Sequence, residues 1–180
     1  MKIRYLKTIG LVAGISLVVI LARPTPVSLI IGGIIVCLGE AIRVWAAGHL
    51  VRNQELTTSG PYAYLRDPLY IGRLFLLIGF CIMAWGYSLI LLPLGLGIFA
   101  LSYMPRKYRK EMIRLGRLFD DEYTKYAYYC RSLLPRIKPY PQARKRPWIS
   151  TVFWKENREQ YFILIVATVF LAMILRYLVI

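Results

Sequence analysis

The sequence predicts an all-α integral membrane protein with about five transmembrane helices and a cytoplasmic helical segment before the last of them. Two observations carry this reading. Hydrophobic residues make up 58% of the 180 residues, and the mean hydropathy is +0.51. Soluble domains usually hold roughly 45–50% apolar residues. The same chain carries 24 Lys and Arg against 9 Asp and Glu, a net charge of +15. A membrane protein with basic cytoplasmic loops combines the two. Disorder is excluded, because it requires low hydrophobicity. Cys37, Cys81 and Cys130 are odd in number and lack ligand spacing, which excludes a disulfide scaffold. His49 is the single histidine, and no metal site is expected.

A spanning helix needs roughly 20 predominantly apolar residues. Leu6 to Ala22 is the first candidate, closed by Arg23, Pro24 and Pro26. Val27 to Ala47 is the second and carries Glu40 and Arg43 near its end. Leu69 to Trp85 and Ser88 to Met104 are the third and fourth, parted only by Gly86 and Tyr87. Tyr161 to Ile180 is the fifth. Pro93 is a candidate kink in the fourth. Gly32, Gly33 and Gly39, and later Gly95 and Gly97, offer close helix approach. Lys2, Arg4 and Lys7 before an apolar run imitate a secretory signal, but Arg23-Pro24 stands where a small-residue cleavage site belongs. The run therefore reads as an uncleaved first span.

Lys and Arg set the orientation. The first turn holds only Arg23 and the third-to-fourth turn holds none, whereas segment 48–68 holds Arg52 and Arg66. Segment 105–159 holds 15 Lys and Arg against 6 Asp and Glu. The N-terminus and both larger segments are thus expected inside and the C-terminus outside, in a bacterial inner membrane. The charge reports topology and contact with anionic lipid, and no nucleic-acid partner is expected. Residues 1–180 read as a single membrane domain. Within 105–159, an apolar stripe at Tyr108, Met112, Leu115, Phe119, Tyr123, Tyr126 and Cys130 predicts a helix. Pro135 to Pro147 holds four prolines and reads as an extended linker. Val152, Phe153 and Trp154 are placed at the membrane interface before the last span.

The motifs of soluble enzymes are missing: there is no GxGxxG, no GxxxxGK[ST] and no CxxC pair. The distinctive stretch is GHLVRNQELTTSGPYAYLRDPLYIG, residues 48–72. Ser59-Gly60-Pro61 is a turn, and Asp67-Pro68 reads as an N-cap followed by proline at the first helical position. A loop with a good helix start accounts for it as well as a binding loop does, and the cap is the favoured role for Asp67. Glu111 lies close to the apolar stripe. It reads either as a surface ion pair with Lys107 and Arg114 or as a buried functional carboxylate. Glu40 and Arg43 read either as a structural ion pair or as the wall of a polar cavity.

The residues also carry a resemblance. Thr58-Ser59-Gly60-Pro61-Tyr62 and Arg66-Asp67-Pro68-Leu69-Tyr70-Ile71-Gly72 resemble the T-S-G-x-Y…R-H-P-x-Y-x-G signature of the isoprenylcysteine carboxyl methyltransferase family, which is related to membrane phospholipid methyltransferases. Glu111, Leu118-Phe119-Asp120-Asp121-Glu122-Tyr123, Tyr126 and Leu134-Pro135 are similar to its E-E…F-G-x-x-Y-x-x-Y…V-P ending. The resemblance covers roughly residues 40–140. It implies an integral membrane enzyme that uses S-adenosylmethionine, bound between the inner ends of the spans and the C-terminal cytoplasmic segment. Loop 48–68 and segment 105–159 would then form the cofactor pocket. The implied cofactor contacts are Gln54, Glu55, Leu56, Thr57, Tyr62, Asp67 and Glu111, and the implied substrate-side residue is Lys107. Three positions depart from the pattern: Gln54 and Asp67 stand where the family has histidines, and Met112 where it has a second glutamate. His49 lies five residues before Gln54 and is a candidate substitute.

Methyl transfer suits this residue set. The donor is a sulfonium cation with an amino-acid tail, which carboxylates and aromatic faces accommodate. Direct displacement needs alignment in a water-poor site rather than a protein nucleophile or a metal. The acceptor implied is hydrophobic or lipid-borne. Two alternatives remain open: a lipid-binding membrane protein that kept the fold without the chemistry, and an NADPH-dependent membrane reductase, since membrane sterol reductases carry a similar R-H-P-x-Y-x-G element.

Overall fold

A computed structural model describes residues 2–52 and 54–180, the side chains of residues 2–8, 11, 103 and 107 excepted. Its helices are α1 (Lys2–Ile20), α2 (Pro26–Ala47), α3 (Pro68–Ala84), α4 (Leu91–Ile98), α5 (Met104–Tyr129) and α6 (Gln160–Val179), and there is no strand among the described residues. The all-α class is as the sequence predicts.

Of the five spans expected, three are borne out by length and composition. Three helices among the described residues are long and apolar enough to cross a membrane: α2, the continuous stretch Gly86–Tyr129, and α6. Helix α3 is apolar and has 17 residues, the lower end of the roughly 17–25 that cross a membrane. Helix α1 has 19 residues, and Lys2, Arg4 and Lys7 occupy its first two turns.

The fourth apolar run and the helix expected after it are continuous, α4 and α5 being joined by a π-helical stretch, Phe99–Tyr103. Pro105 follows it after Met104. Proline cannot donate to the carbonyl four residues back and its ring crowds that turn, and a widened turn accommodates both. Pro93, the candidate kink, is the third residue of α4 and follows the 3-10 turn Gly86–Ile90. A bend lies at Asp120, whose φ of 36° and ψ of −115° interrupt α5.

Helix α2 starts where the prolines predict. Pro26 takes the first helical position and Thr25 closes a reciprocal capping box with Ser28. Here the Ser28 amide donates to Thr25 Oγ1 at 3.1 Å and the Thr25 amide to Ser28 Oγ at 2.9 Å. Against it lies α3, nearly backbone to backbone. A Cβ on Gly32 would come within 2.6 Å of the Gly79 carbonyl, and one on Gly39 within 2.9 Å of the Gly72 carbonyl. The two glycines of each helix are seven residues apart, so two turns repeat the same close approach. Of the glycines expected to permit packing, Gly32 and Gly39 do so here, whereas nothing lies within 4 Å of a Cβ on Gly97. Val36, Leu76, Met83, Val166 and Met173 close the apolar core among α2, α3 and α6.

Buried charge ties α6 to α2. Arg43 is 1% exposed and pairs with Glu159, itself 7% exposed, at the start of α6. Glu40 lies 3.7 Å away, and the Arg43 guanidinium sits 3.5 Å from the centroid of the Phe162 ring. The pair seen from the sequence as Glu40 with Arg43 is thus a structural one, and its closer partner is Glu159. Asn157 Nδ2 donates to the carbonyls of Ala47 and Leu50 at 2.8 and 2.9 Å, satisfying backbone groups at the end of α2. At the other end of the molecule Arg176 donates to the carbonyls of Ile20 and Ala22, fastening α6 to the end of α1.

Residues 131–149, which include the proline-rich stretch Pro135 to Pro147, are neither helix nor strand, and they form a strap rather than a free linker. Their amides bond across to loop 48–66: Arg136 to Tyr64 at 2.9 Å, Tyr140 to Ala63 at 2.7 Å and Ile149 to Gly48 at 3.0 Å. The prolines keep the strap from coiling while amides between them still donate. Val152 and Phe153 are buried in the protein, with Phe153 beside Trp148 at 5.5 Å, and only Trp154 of that trio is exposed. Docking on the protein replaces the membrane-interface role expected for Val152 and Phe153.

Candidate functional site

A cavity of about 220 Å³ lies at the N-terminal end of α3, walled by loop 50–67, the start of α3 and the inward face of α5. The loop reaches it through two turns. Thr57 Oγ1 accepts from the Val51 amide at 3.2 Å and donates to the Val51 carbonyl at 3.3 Å, closing the first. Gly60 adopts φ +57° in the second, and a Cβ there would strike the His49 ring. His49 holds this turn from behind through Nδ1 and Ser59 Oγ, 3.2 Å apart. Burial, then the charge of Arg146, lowers its pKa and keeps it neutral. It does not line the cavity, so it fills neither histidine position of the pattern.

Tyr62 lies 6% exposed in the cavity wall. The Tyr126 hydroxyl donates to its carbonyl at 2.7 Å, and Cys130 Sγ lies 3.5 Å from the Ala63 carbonyl. Burial holds the Tyr62 phenol well above its ordinary pKa, so it is a neutral donor. The end of α5 thereby fixes the loop backbone, and Leu56, Tyr123, Tyr126, Cys130 and Tyr140 form a second core beneath it. Leu115, Phe119, Tyr123, Tyr126 and Cys130 of the apolar stripe face this core, whereas Met112 is 43% exposed.

Asp67 sits at the N-cap of α3 with Pro68 in the first turn, but its side chain makes no capping hydrogen bond. This corrects the role favoured from the sequence. With φ −124° and ψ 60°, the carboxylate points away from the helix amides. It accepts from Ser132 Oγ at 2.5 Å and lies 3.4 Å from Arg66 Nε. Arg66 in turn rests over the Tyr108 ring at 4.9 Å and donates its amide to the Arg131 carbonyl at 3.0 Å. Burial pushes the Asp67 carboxyl above the usual range despite the opposing Ser132 hydrogen bond and Arg66 charge. The native state then holds this proton to higher pH than the unfolded chain. Its contribution to stability is full below roughly pH 4, the unfolded value, and is lost as pH rises through the raised native value. Asp67→Asn should therefore flatten the stability profile above pH 4. Thermal unfolding across a pH series checks this, and an unchanged slope in the variant would contradict it.

Glu111 accepts a hydrogen bond from the Tyr70 hydroxyl at 3.0 Å, which joins α3 to α5 at the cavity. Glu55, Leu56 and Thr57 also line the cavity. Gln54 does not: it borders a neighbouring open hollow with Val51, Glu55, Arg144 and Arg146. Strap arginines engage the Glu55 carboxylate, Arg144 at 2.9 Å and Arg146 on the other oxygen. Arg144 also reaches Glu122 at 3.0 Å, so strap, loop and α5 are pinned together. The side chain of Lys107 lies outside the described residues.

The site residues expected from the sequence did not include Arg66, Tyr70, Arg73, Tyr108 or Tyr123, all of which line the cavity. Arg66 and Tyr70 stood in the quoted motif, and Tyr70 is three residues from Asp67, the spacing that puts both on one helix face. Arg52, Arg66, Arg73 and Arg114 oppose Glu55, Asp67 and Glu111 around the cavity, with five tyrosines between them. Such a wall suits a ligand that carries both an ammonium and a carboxylate beside a flat or cationic part. Among the described residues no cluster of His, Cys, Asp or Glu is arranged to hold a metal ion.

The family model for phospholipid methyltransferase matches residues 27–111, from α2 through the cavity loop to Glu111. A curated relative, the cobalt-zinc-cadmium resistance protein CzcN of Cupriavidus metallidurans, is 33% identical over 118 residues, 64% of this chain and 53% of the relative. The chain thus spans about half the length of that relative. No solved structure matches the chain. The stretch that builds the cavity loop, α3 and Glu111 is the part of this chain that is similar to the phospholipid methyltransferases.

Proposed function

We propose that this chain is a membrane enzyme that transfers a methyl group from S-adenosylmethionine to a hydrophobic or lipid-borne acceptor. The observation that carries the reading is the cavity itself, where Tyr62, Asp67 and Glu111 meet a ring of arginines and tyrosines. When bound, the cofactor supplies a methyl group already activated on a sulfonium. The protein's task is then to bind, orient and exclude water. Glu111, held by Tyr70, receives the ammonium of the amino-acid tail. Arg52 or Arg73 receives its carboxylate. The Tyr62 and Tyr108 rings flank cationic and planar parts. Leu56 and Thr57 close the floor, and the resemblance assigns the substrate-side role to Lys107. The cavity opens beside the first turn of α3, where a lipid-borne acceptor reaches it sideways. In this reading α1 and α3 complete five spans, the N-terminus and the cavity face the cytoplasm, and the membrane is a bacterial inner membrane.

One observation favours a lipid-binding protein without chemistry: the carboxylates of Glu55 and Asp67 are already engaged, by the strap arginines and by Ser132 with Arg66. Calorimetric titration of the purified full chain separates the readings. S-adenosylmethionine should bind and NADPH should not. Binding of NADPH alone would establish the reductase reading, and binding of neither would establish the lipid-binding one.

A further inference from the structure

We propose that the outward face of α5 at Lys110, Arg114 and Arg117 is a binding site for the headgroup of an anionic phospholipid. This inference stands apart from the methyl-transfer reading. Lys110, Ile113, Arg114, Arg117 and Leu118 line one open groove. Their spacing of three, four, seven and eight residues puts them on a single face of the helix. Tyr108, Glu111 and Leu115, which face the cavity, occupy a different face of α5. Only Arg114 borders both hollows.

Three features of the groove point to lipid. First, its cations are uncompensated: Lys110, Arg114 and Arg117 form no ion pair among the described residues. Glu111, the one acid between residues 105 and 118, turns to Tyr70 on the cavity side. Second, the same groove exposes Ile113 and Leu118, 55% and 48% accessible. A face that only water touched would gain nothing from two branched apolar side chains set among three cations. A phospholipid engages both kinds, its phosphodiester taking the N–H donors and its acyl chains the apolar pair. Third, α5 runs without a break from an apolar helix long enough to cross a membrane. A rise of 1.5 Å per residue carries the chain about 9 Å from Met104 to Lys110, which is within reach of the headgroup layer. The apolar pair is what commits the site to a lipid rather than to free phosphate.

The test uses the full chain in a neutral detergent, with short-chain phosphatidylglycerol and short-chain phosphatidylcholine as probes and thermophoresis as the readout. Phosphatidylglycerol should bind about tenfold or more tighter, and its binding should weaken as salt is raised. K110Q/R114Q/R117Q should lose on the order of 100-fold in affinity, from about 1 kcal/mol per basic residue near the surface. Should the triple variant fail to fold, R117Q alone should lose about fivefold. Equal affinity for the two lipids would overturn the proposal, as would unchanged binding by the charge variants. Displacement of the lipid by inorganic phosphate or by heparin at equal concentration would also overturn it, by showing a general polyanion surface.

Discussion

Arg43→Met should destabilise the protein by about 3–5 kcal/mol, the cost of leaving a buried charge without its partner. Arg43 is almost wholly buried in α2, where it pairs with Glu159 before α6 and lies near Glu40 and over Phe162. Methionine fills the space but strands two carboxylates in a poorly hydrated setting. The midpoint of thermal unfolding in detergent should fall by on the order of 10 °C. Arg43→Met combined with Glu159→Gln should recover a large part of the loss, because the second change removes one stranded charge. A fall of under about 1 kcal/mol for the single variant, within the range of an exposed pair, would contradict the structural role. Gly72 belongs to the same arrangement, since a Cβ there would collide with the Arg43 stem.

Glu111→Gln should weaken S-adenosylmethionine binding by about 1.5–3 kcal/mol, the range for a hydrogen bond to a charged group, or roughly 10- to 150-fold. Glutamine keeps an acceptor for the Tyr70 hydroxyl, which now lies 3.0 Å from the carboxylate, so the link between α3 and α5 survives while the charge is lost. Tyr70→Phe removes only the positioning bond and should cost about 1 kcal/mol or less. Calorimetry on both variants separates charge from position. Unchanged affinity in a folded Glu111→Gln protein would remove Glu111 from the cofactor site and leave it as a strut between two helices.

The two predictions concern residues that differed in how far they could be read beforehand. Arg43 was visible as a charge in an apolar run, and Glu40 at i+3 spacing was the evident partner. Glu159, more than a hundred residues away, has no local signature, because α6 must first return beside α2 before the two can meet. Glu111 was legible through its motif, but its neighbour was not. The spacing rule offered Lys107 and Arg114 on its own helix, and the folded chain brings Tyr70 to it from α3.

What the sequence by itself determined is whatever depends on neighbours along the chain. Apolar runs, prolines and Thr25 set where α2 begins, Asp67-Pro68 marks where α3 begins, and the stripe from Leu115 to Cys130 picks the face of α5 that turns inward. The close approach of α2 was foreseeable from Gly32 and Gly39, though its register against Gly72 and Gly79 was not. Tertiary structure decided the rest. It turned Asp67 from helix cap to partner of Ser132, because the strap supplies a hydroxyl that the helix amides compete with and lose to. It made the proline-rich linker a strap, because loop 48–66 offered carbonyls that buried backbone must satisfy. It carried the helix on from α4 into α5, where a π-helical stretch accommodates Pro105 without ending the helix. Pairings across many residues depend on which surfaces exclude water together, and that is settled only when the helices pack.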